Sequence, residues 1–156
     1  MRRPLAPLLL TLSLLAGCGA DPNSPEAQIE ALFDAAESAA EARDIATLKT
    51  LVAGDYSDDR GHDRNTVVRV VQFHFLQNKS IHLFRQTREL SFPERGRAAA
   101  RVLVAMAGTP IPDLAALRLA RADLYRFDLE LADRGGGDWA VTGAQWRRAE
   151  LADFLP

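Results

Sequence analysis

Helical and strand patterns are segregated along this chain, and that order constrains its fold more than any other feature. Over residues 25 to about 78, apolar residues recur at helical spacing. After Lys79 the period falls to two, most strictly over residues 125–131, where apolar and charged residues alternate. Helices followed by a run of strands indicate an α+β fold with an antiparallel sheet, and not alternating βαβ units.

Three helices are predicted at the start of the domain. Ser24 is a suitable N-cap for the first, which continues to about residue 42. Asp44 can cap a second, short helix over residues 45–52, and Asp63 a third that ends near residue 78. The third is apolar on most sides, which predicts a central position in the core.

Four consecutive antiparallel strands should follow, with turns at residues 93–96 and 134–138. The second and third are separated by a detour in which Pro110 and Pro112 interrupt the strand pattern. A short inserted helix is predicted at about 112–121, carrying Arg118 and Arg121. We expect it to cover the open end or an edge of the sheet, or to serve as a lid or partner contact.

This element order resembles the nuclear transport factor two-like superfamily over about residues 26–149. The resemblance also rests on the Asp55-Tyr56 loop and on the closing strand, Asp138-Trp-Ala-Val, with a second tryptophan at Trp146. It implies a curved sheet wrapped around helices as a cystatin-like cone with one open mouth. The stretches Asp-Arg-Gly-His-Asp-Arg at 59–64 and Leu-Tyr-Arg-Phe at 124–127 are most similar to small, uncharacterised proteobacterial lipoproteins.

Cys18 is the only cysteine, and it follows two arginines and an apolar run over residues 5–15. A positive start, a short apolar stretch and small residues are typical of a secretory signal peptide, and the apolar stretch is shorter than the roughly 20 residues of a membrane span. Leu15-Ala16-Gly17-Cys18 resembles the bacterial lipobox. That resemblance implies cleavage before Cys18, diacylglycerol on its sulfur and a further acyl chain, such as palmitate, on its amino group.

The predicted organisation is therefore a signal peptide at 1–17, a lipidated cysteine and tether at 18–25, and one domain at 26–156. Two or more acyl chains anchor a protein durably to a membrane. Gly19, where inner-membrane lipoproteins tend to carry aspartate, implies the periplasmic face of the outer membrane in a Gram-negative bacterium.

After cleavage the chain would carry 17 Lys and Arg against 21 Asp and Glu, a net charge of −4. This balance, without a basic run that contains aromatic residues, argues against a nucleic-acid partner. The glycines at 135–137 lie between predicted strands and not before a helix, so they are not a phosphate-binding loop. No cofactor is predicted.

A cluster of acids and one histidine between helices two and three raises the question of a metal site; its members are Asp55, Asp58, Asp59, His62 and Asp63. Calcium loops need regularly spaced oxygen ligands and usually a final glutamate, and zinc needs three or four converging ligands. The cluster has neither pattern. Turn formation and capping explain it, so no metal is predicted.

Enzymes of the ketosteroid isomerase and polyketide cyclase type within the resembled superfamily use a carboxylate base and a hydrogen-bond donor inside an apolar cone. Tyr125 and Asp128 should point to opposite faces of their strand, which leaves Tyr56 with His74 as the only candidate pair. A core tyrosine and a structural histidine explain the same two residues, so no catalytic residue is assigned.

The resulting hypothesis is a non-catalytic binding or assembly module for an amphiphile or an envelope protein, with a homodimer as an open alternative. Tyr56, His74 and Trp146 are expected near the mouth of the cone, where a concave apolar cavity is the default ligand site. Arg118 and Arg121 would face an anionic head group or an acidic partner. A small-molecule enzyme that uses the cone as its active site is the alternative.

Overall fold

The computed structural model describes residues 21–156, so the predicted signal peptide, Cys18 and the start of the tether lie outside the described residues. No helix in residues 21–156 is long and apolar enough to cross a membrane. In chain order the elements are α1 (Pro25–Glu41), α2 (Ile45–Leu51), α3 (Arg64–Gln77), β1 (His82–Glu94), β2 (Arg97–Ala107), α4 (Leu114–Leu117), β3 (Asp123–Asp133), β4 (Trp139–Arg148) and a final 3₁₀ turn, η1 (Leu151–Phe154).

Each N-terminal helix begins after the predicted cap residue. The Ser24 hydroxyl accepts a hydrogen bond from the Ala27 amide at 3.2 Å. Asp44 and Asp63 do the same for α2 and α3, at 3.0 Å and 2.7 Å. These side chains satisfy amide groups that have no partner within the helix, and they explain where each helix starts.

The four strands form one sheet in the order β1-β2-β3-β4, and every neighbouring pair is antiparallel. The predicted α+β class with a four-stranded antiparallel sheet is confirmed. Register breaks interrupt β1 after Thr87 and after Ser91, and a third leaves Thr142 of β4 unpaired between the partners of Glu130 and Leu131. Bulges of this kind increase twist and bend a sheet, which is how this one curves around the helices.

The inner face of the sheet packs against α1 at one end of the domain. Ile29, Leu32 and Phe33 of α1 form a buried cluster with side chains of β2, β3 and β4, among them Leu131 and Trp139. The indole of Trp139 donates to the Gln28 side chain at 3.1 Å, so its polar atom is satisfied beside the core. The hairpin ends of the sheet and the start of α1 together close this end of the cone.

The outer face of the sheet carries a second buried cluster, and α4 belongs to it. Leu117 of α4 and Phe154 of η1 pack with Leu103 and Ala105 of β2. The inserted helix exists, but the expectation that it covers the open end of the cone or an edge of the sheet is wrong. It lies on the opposite face because β2 is apolar on both sides, and its outward residues require their own cover.

The predicted central position of α3 is also wrong. Only Val68 and Phe75 of this helix are buried, whereas Phe73 is 60% exposed and Leu76 is 76% exposed. The helix lies over the inner face as an outer layer, and the Arg43 guanidinium donates to the Phe75 carbonyl at its end. The apolar residues of α3 therefore lie on two faces of the helix, one toward the sheet and one toward solvent.

Two leucines test this account of the core. Leu131 is 1% exposed between α1 and the sheet, and Leu119, just after α4, is 89% exposed. We expect Leu131→Ala to lower the free energy of unfolding by about 2–5 kcal/mol, because it removes buried methyl groups and leaves a cavity. Leu119→Ala should change it by less than about 0.5 kcal/mol. Urea unfolding followed by circular dichroism measures both changes. Equal effects would contradict the burial of Leu131 and the exposure of Leu119.

Candidate functional site

A cavity of about 360 Å³ lies between α1, α3 and the inner face of the sheet. It occupies the half of the domain where β1 and β3 begin, away from the α1 end that packs on Trp139. The walls are mainly aliphatic and aromatic. They include Phe33, Ala36, Ala40, Leu48, Tyr56, Val67, Val70, Val71, His74, Leu83, Arg85, Val102, Val104, Met106, Tyr125, Phe127, Val141 and Trp146.

Tyr56 reaches this cavity because the segment after α2 runs along the free edge of β4. The Ala53 amide donates to the Val141 carbonyl at 2.9 Å, and the Ser57 amide donates to the Thr142 carbonyl at 3.1 Å. Tyr56, between these two contacts, is 4% exposed. The backbone pairing thus fixes the ring in the cavity wall.

The Tyr56 hydroxyl donates to Asp58 Oδ2 at 3.1 Å. The Asp58 side chain is 0% exposed, and His62 Nδ1 contacts the same carboxylate oxygen at 2.9 Å. The amides of Arg60 and His62 donate to its other oxygen at 3.0 Å and 2.9 Å. One carboxylate therefore organises the whole loop behind the cavity wall.

The pKa values of Tyr56 and Asp58 are shifted in opposite directions, each toward the protonation state that keeps their hydrogen bond. Burial, together with the hydrogen bond to Asp58, raises the pKa of Tyr56 well above its ordinary value. Burial also opposes the charged form of Asp58, but the hydrogen bonds from His62, Tyr56 and Arg60 outweigh it and lower the pKa of that carboxyl. Asp58 is thus a weak base, and the Tyr56 proton is already directed to it.

The same loop holds Trp146 in the cavity wall. The His62 ring stacks on the Trp146 indole, with ring centroids 5.8 Å apart and planes 20° apart. The Arg60 guanidinium lies 4.2 Å from the indole centroid and donates to the Trp146 carbonyl at 2.9 Å. Cation–π contact and stacking favour one orientation of this side chain.

A charged cluster at the α1 side of the cavity was not predicted. Arg85 of β1, 16% exposed, contacts Glu30 at 2.7 Å, Asp34 at 2.5 Å and Glu37 at 3.3 Å. Its burial works against the charge, yet the three carboxylates raise the pKa of the Arg85 guanidinium. The spacing of Glu30, Asp34 and Glu37 along one helix face was visible in the sequence, but their shared partner depends on how α1 meets β1.

The predicted pocket residues divide into two groups. Tyr56, His74 and Trp146 line the cavity, whereas Arg118 and Arg121 do not. The expected position of the two arginines at the mouth is wrong, because Leu117 anchors α4 on the outer face of the sheet.

Tyr125 and Asp128 point to opposite faces, as expected from the strand period. Tyr125 lines the cavity. Asp128 lies outside, paired with Arg126 at 2.8 Å and with Arg101 at 3.1 Å. Within residues 21–156, no three His, Cys, Asp or Glu side chains converge as the ligands of a metal ion would.

Neither a protein-family model nor a curated protein matches this sequence. Solved structures do match the fold. An uncharacterised protein with a cystatin-like fold from Caulobacter vibrioides is 18% identical, with a TM-score of 0.63 over 83% of this chain and 93% of its own. A ketosteroid isomerase-like protein from Erwinia carotovora atroseptica is 14% identical, with a TM-score of 0.59 over 82% of this chain and 98% of its own.

The Bdellovibrio bacteriovorus protein Bd1075 is 10% identical, with a TM-score of 0.61 over 78% of this chain. The match spans only 40% of the Bdellovibrio protein. At these identities the likeness establishes a common fold, and a fold of this kind carries many different activities.

The contribution of Asp58 to stability can be measured by comparing its substitution with that of the adjacent Asp59. Asp58→Ala should lower the free energy of unfolding by about 2 kcal/mol at neutral pH, because it leaves the Tyr56 hydroxyl and two amides without their acceptor. Asp59→Ala, at an exposed position, should change it by less than about 0.5 kcal/mol.

The pH dependence of that difference follows from the lowered pKa of Asp58. The charged form stabilises the fold above the unfolded-state pKa of about 3.9, and this contribution is lost as the pH falls through the lower folded-state value. Urea titrations at neutral and acid pH should show the gap between wild type and Asp58→Ala narrowing as the solution is acidified. A gap that is independent of pH would contradict the assignment.

Proposed function

We propose that this chain, which has the cone-shaped nuclear transport factor two-like fold, is a non-catalytic binding module that holds an apolar or amphiphilic small molecule in its cavity. The observation that carries the proposal is the composition of the cavity wall. Its volume of about 360 Å³ is within the range of small-molecule sites, and aliphatic and aromatic side chains make up most of its surface.

The polar groups of the wall favour binding over catalysis. The Tyr56 hydroxyl is engaged with Asp58, and Glu37 is paired with Arg85. A general base needs a pKa close to the working pH, whereas the pKa of Asp58 is lowered. Groups arranged in this way can orient a ligand without removing a proton from it.

The proposed site of action is the periplasmic face of the outer membrane, with the domain attached through acylated Cys18. This part of the proposal is supported by the lipobox-like Leu15-Ala16-Gly17-Cys18 and by Gly19. A membrane-anchored module with an apolar cavity suits a ligand that partitions into lipid. A homodimer, or an envelope protein as partner, remains compatible with the same arrangement.

A small-molecule enzyme is the second candidate, favoured by the buried Asp58 carboxylate beside Tyr56 at 3.1 Å. An enzyme of the ketosteroid isomerase or polyketide cyclase type would need one of these groups to exchange a proton with substrate. Turnover of an enolisable substrate that Tyr56→Phe abolishes, with ligand affinity unchanged, would favour this candidate over the binding module.

Filling the cavity should weaken binding. Ala40 of α1 lines the cavity, whereas Ala46 of α2 is exposed. We expect Ala40→Phe to weaken the binding of phenylnaphthylamine, a neutral apolar fluorophore, by about tenfold or more, because the new ring occupies the ligand's volume. Ala46→Phe should leave the affinity unchanged. Fluorescence titration measures both, and equal affinities for the two variants would contradict a site in the cavity.

The anchor has a separate test. Cys18→Ser removes the sulfur that would be acylated, so we expect an uncleaved, unacylated precursor retained in the inner membrane. Mass spectrometry of the purified protein and membrane fractionation report the two properties. A mutant with normal processing and unchanged fractionation would overturn the lipoprotein proposal without affecting the cavity.

A further inference from the structure

Helix α3 has two different faces, and only one of them belongs to the cavity. Val67, Val70, Val71 and His74 point toward the cavity. On the opposite face, Phe73 is 60% exposed and Leu76 is 76% exposed. Two large apolar side chains one helical turn apart form a patch at the outer surface of the helix that closes the site.

The flanks of this patch are basic. Arg69 lies one turn before Phe73 and Lys79 follows the helix, and both are exposed. The chain has no Asp or Glu from Arg64 to Arg88, although its overall charge is negative. Exposed Phe and Leu side chains bordered by Arg and Lys are the chemistry of helices that lie at the surface of anionic bilayers.

We propose that the outer face of α3, consisting of Arg69, Phe73, Leu76 and Lys79, docks on the surface of a bilayer with anionic head groups. The inference rests on the proposed function and adds the source of the ligand to it. The helix that forms one wall of the cavity would then contact lipid directly, so an amphiphile could pass from the bilayer into the cavity beside it.

The position of the anchor permits this contact. Three Cα–Cα steps separate Cys18 from Asp21, where the described chain begins, and they span at most about 11 Å. The tether enters at the start of α1, and α1 contacts α2, which contacts α3. The anchor is therefore attached to the same helical layer as α3, while α4 lies on the far side of the sheet. The patch lies beside the opposite end of α1, where Arg43 contacts Phe75, so both contacts form together when α1 lies along the membrane surface.

Anchoring also removes the need for strong docking. Two apolar side chains and two cations provide modest affinity by themselves. Once the acyl chains are inserted, a short tether keeps α3 close to the bilayer. Docking of α3 is then an intramolecular event with a high effective concentration of lipid. Salt should weaken the contact, because head-group attraction is screened within a Debye length.

Site-specific quenching tests the docked face with a matched control. In the full acylated protein, Leu76→Cys and Leu119→Cys each introduce one thiol at an exposed leucine, on opposite faces of the domain. Each variant is labelled with an environment-sensitive fluorophore and reconstituted in vesicles of phosphatidylethanolamine and phosphatidylglycerol that contain nitroxide-labelled lipid. We expect the label at position 76 to lose most of its fluorescence and the label at 119 to keep it.

Arg69→Glu in the Leu76→Cys background should restore fluorescence at position 76, as should vesicles of phosphatidylcholine alone. Equal quenching at positions 76 and 119, or no quenching at 76 in the anionic vesicles, would overturn the proposal. Quenching tests membrane docking only. Titration of the same samples with phenylnaphthylamine tests ligand binding in the cavity, so failure of one proposal can be distinguished from failure of the other. Acylated Cys18 has no free thiol and cannot be labelled. Mass spectrometry that shows one fluorophore per chain therefore verifies that the anchor is in place before quenching is measured.

Discussion

The contact between α1 and the closed end of the sheet is the one on which the rest of this structure depends. Ile29, Leu32 and Phe33 pack there against Leu131 and Trp139, and alanines of β2 allow the helix to approach closely. On the inner face of the sheet, apolar burial is thus concentrated in one half of the domain, and the second buried cluster lies on the outer face. The other half can keep a cavity between its layers because the helix is already fixed by these contacts.

A single loop then determines the character of that cavity. Asp58 accepts hydrogen bonds from the Tyr56 hydroxyl and from loop amides. The His62 ring and the Arg60 guanidinium pack on the indole of Trp146. The loop supplies Tyr56 to the cavity wall, orients Trp146 of β4, and engages the Tyr56 hydroxyl and the Asp58 carboxylate with each other. Rigid aromatic surfaces with few free polar groups are well suited to recognising a ligand by shape.

Much of the architecture was predictable because it depends on local patterns. The caps at Ser24, Asp44 and Asp63 and the period of two in β3 are properties of neighbouring residues. Tyr56, His74 and Trp146 were also placed near the cavity from the resembled fold. The errors concern relations between elements. β2 is apolar on both faces, but the sequence does not indicate which element covers its outer face, so α4 with Arg118 and Arg121 was assigned to the wrong side. The Arg85 cluster was missed because its members lie more than forty residues apart.

The hydrogen bond between Gln28 and Trp139 joins residues 111 positions apart. The sheet itself is a series of sequential hairpins, each of which can form from neighbouring strands. The first helix, by contrast, packs on β2, β3 and β4 together, so its partner surface is complete only after β3 and β4 exist. A chain that emerges from its N-terminus therefore cannot complete this core until nearly all of it is available. If the chain is exported in extended form, as proposed, this folding order delays the compact state until transport is nearly finished.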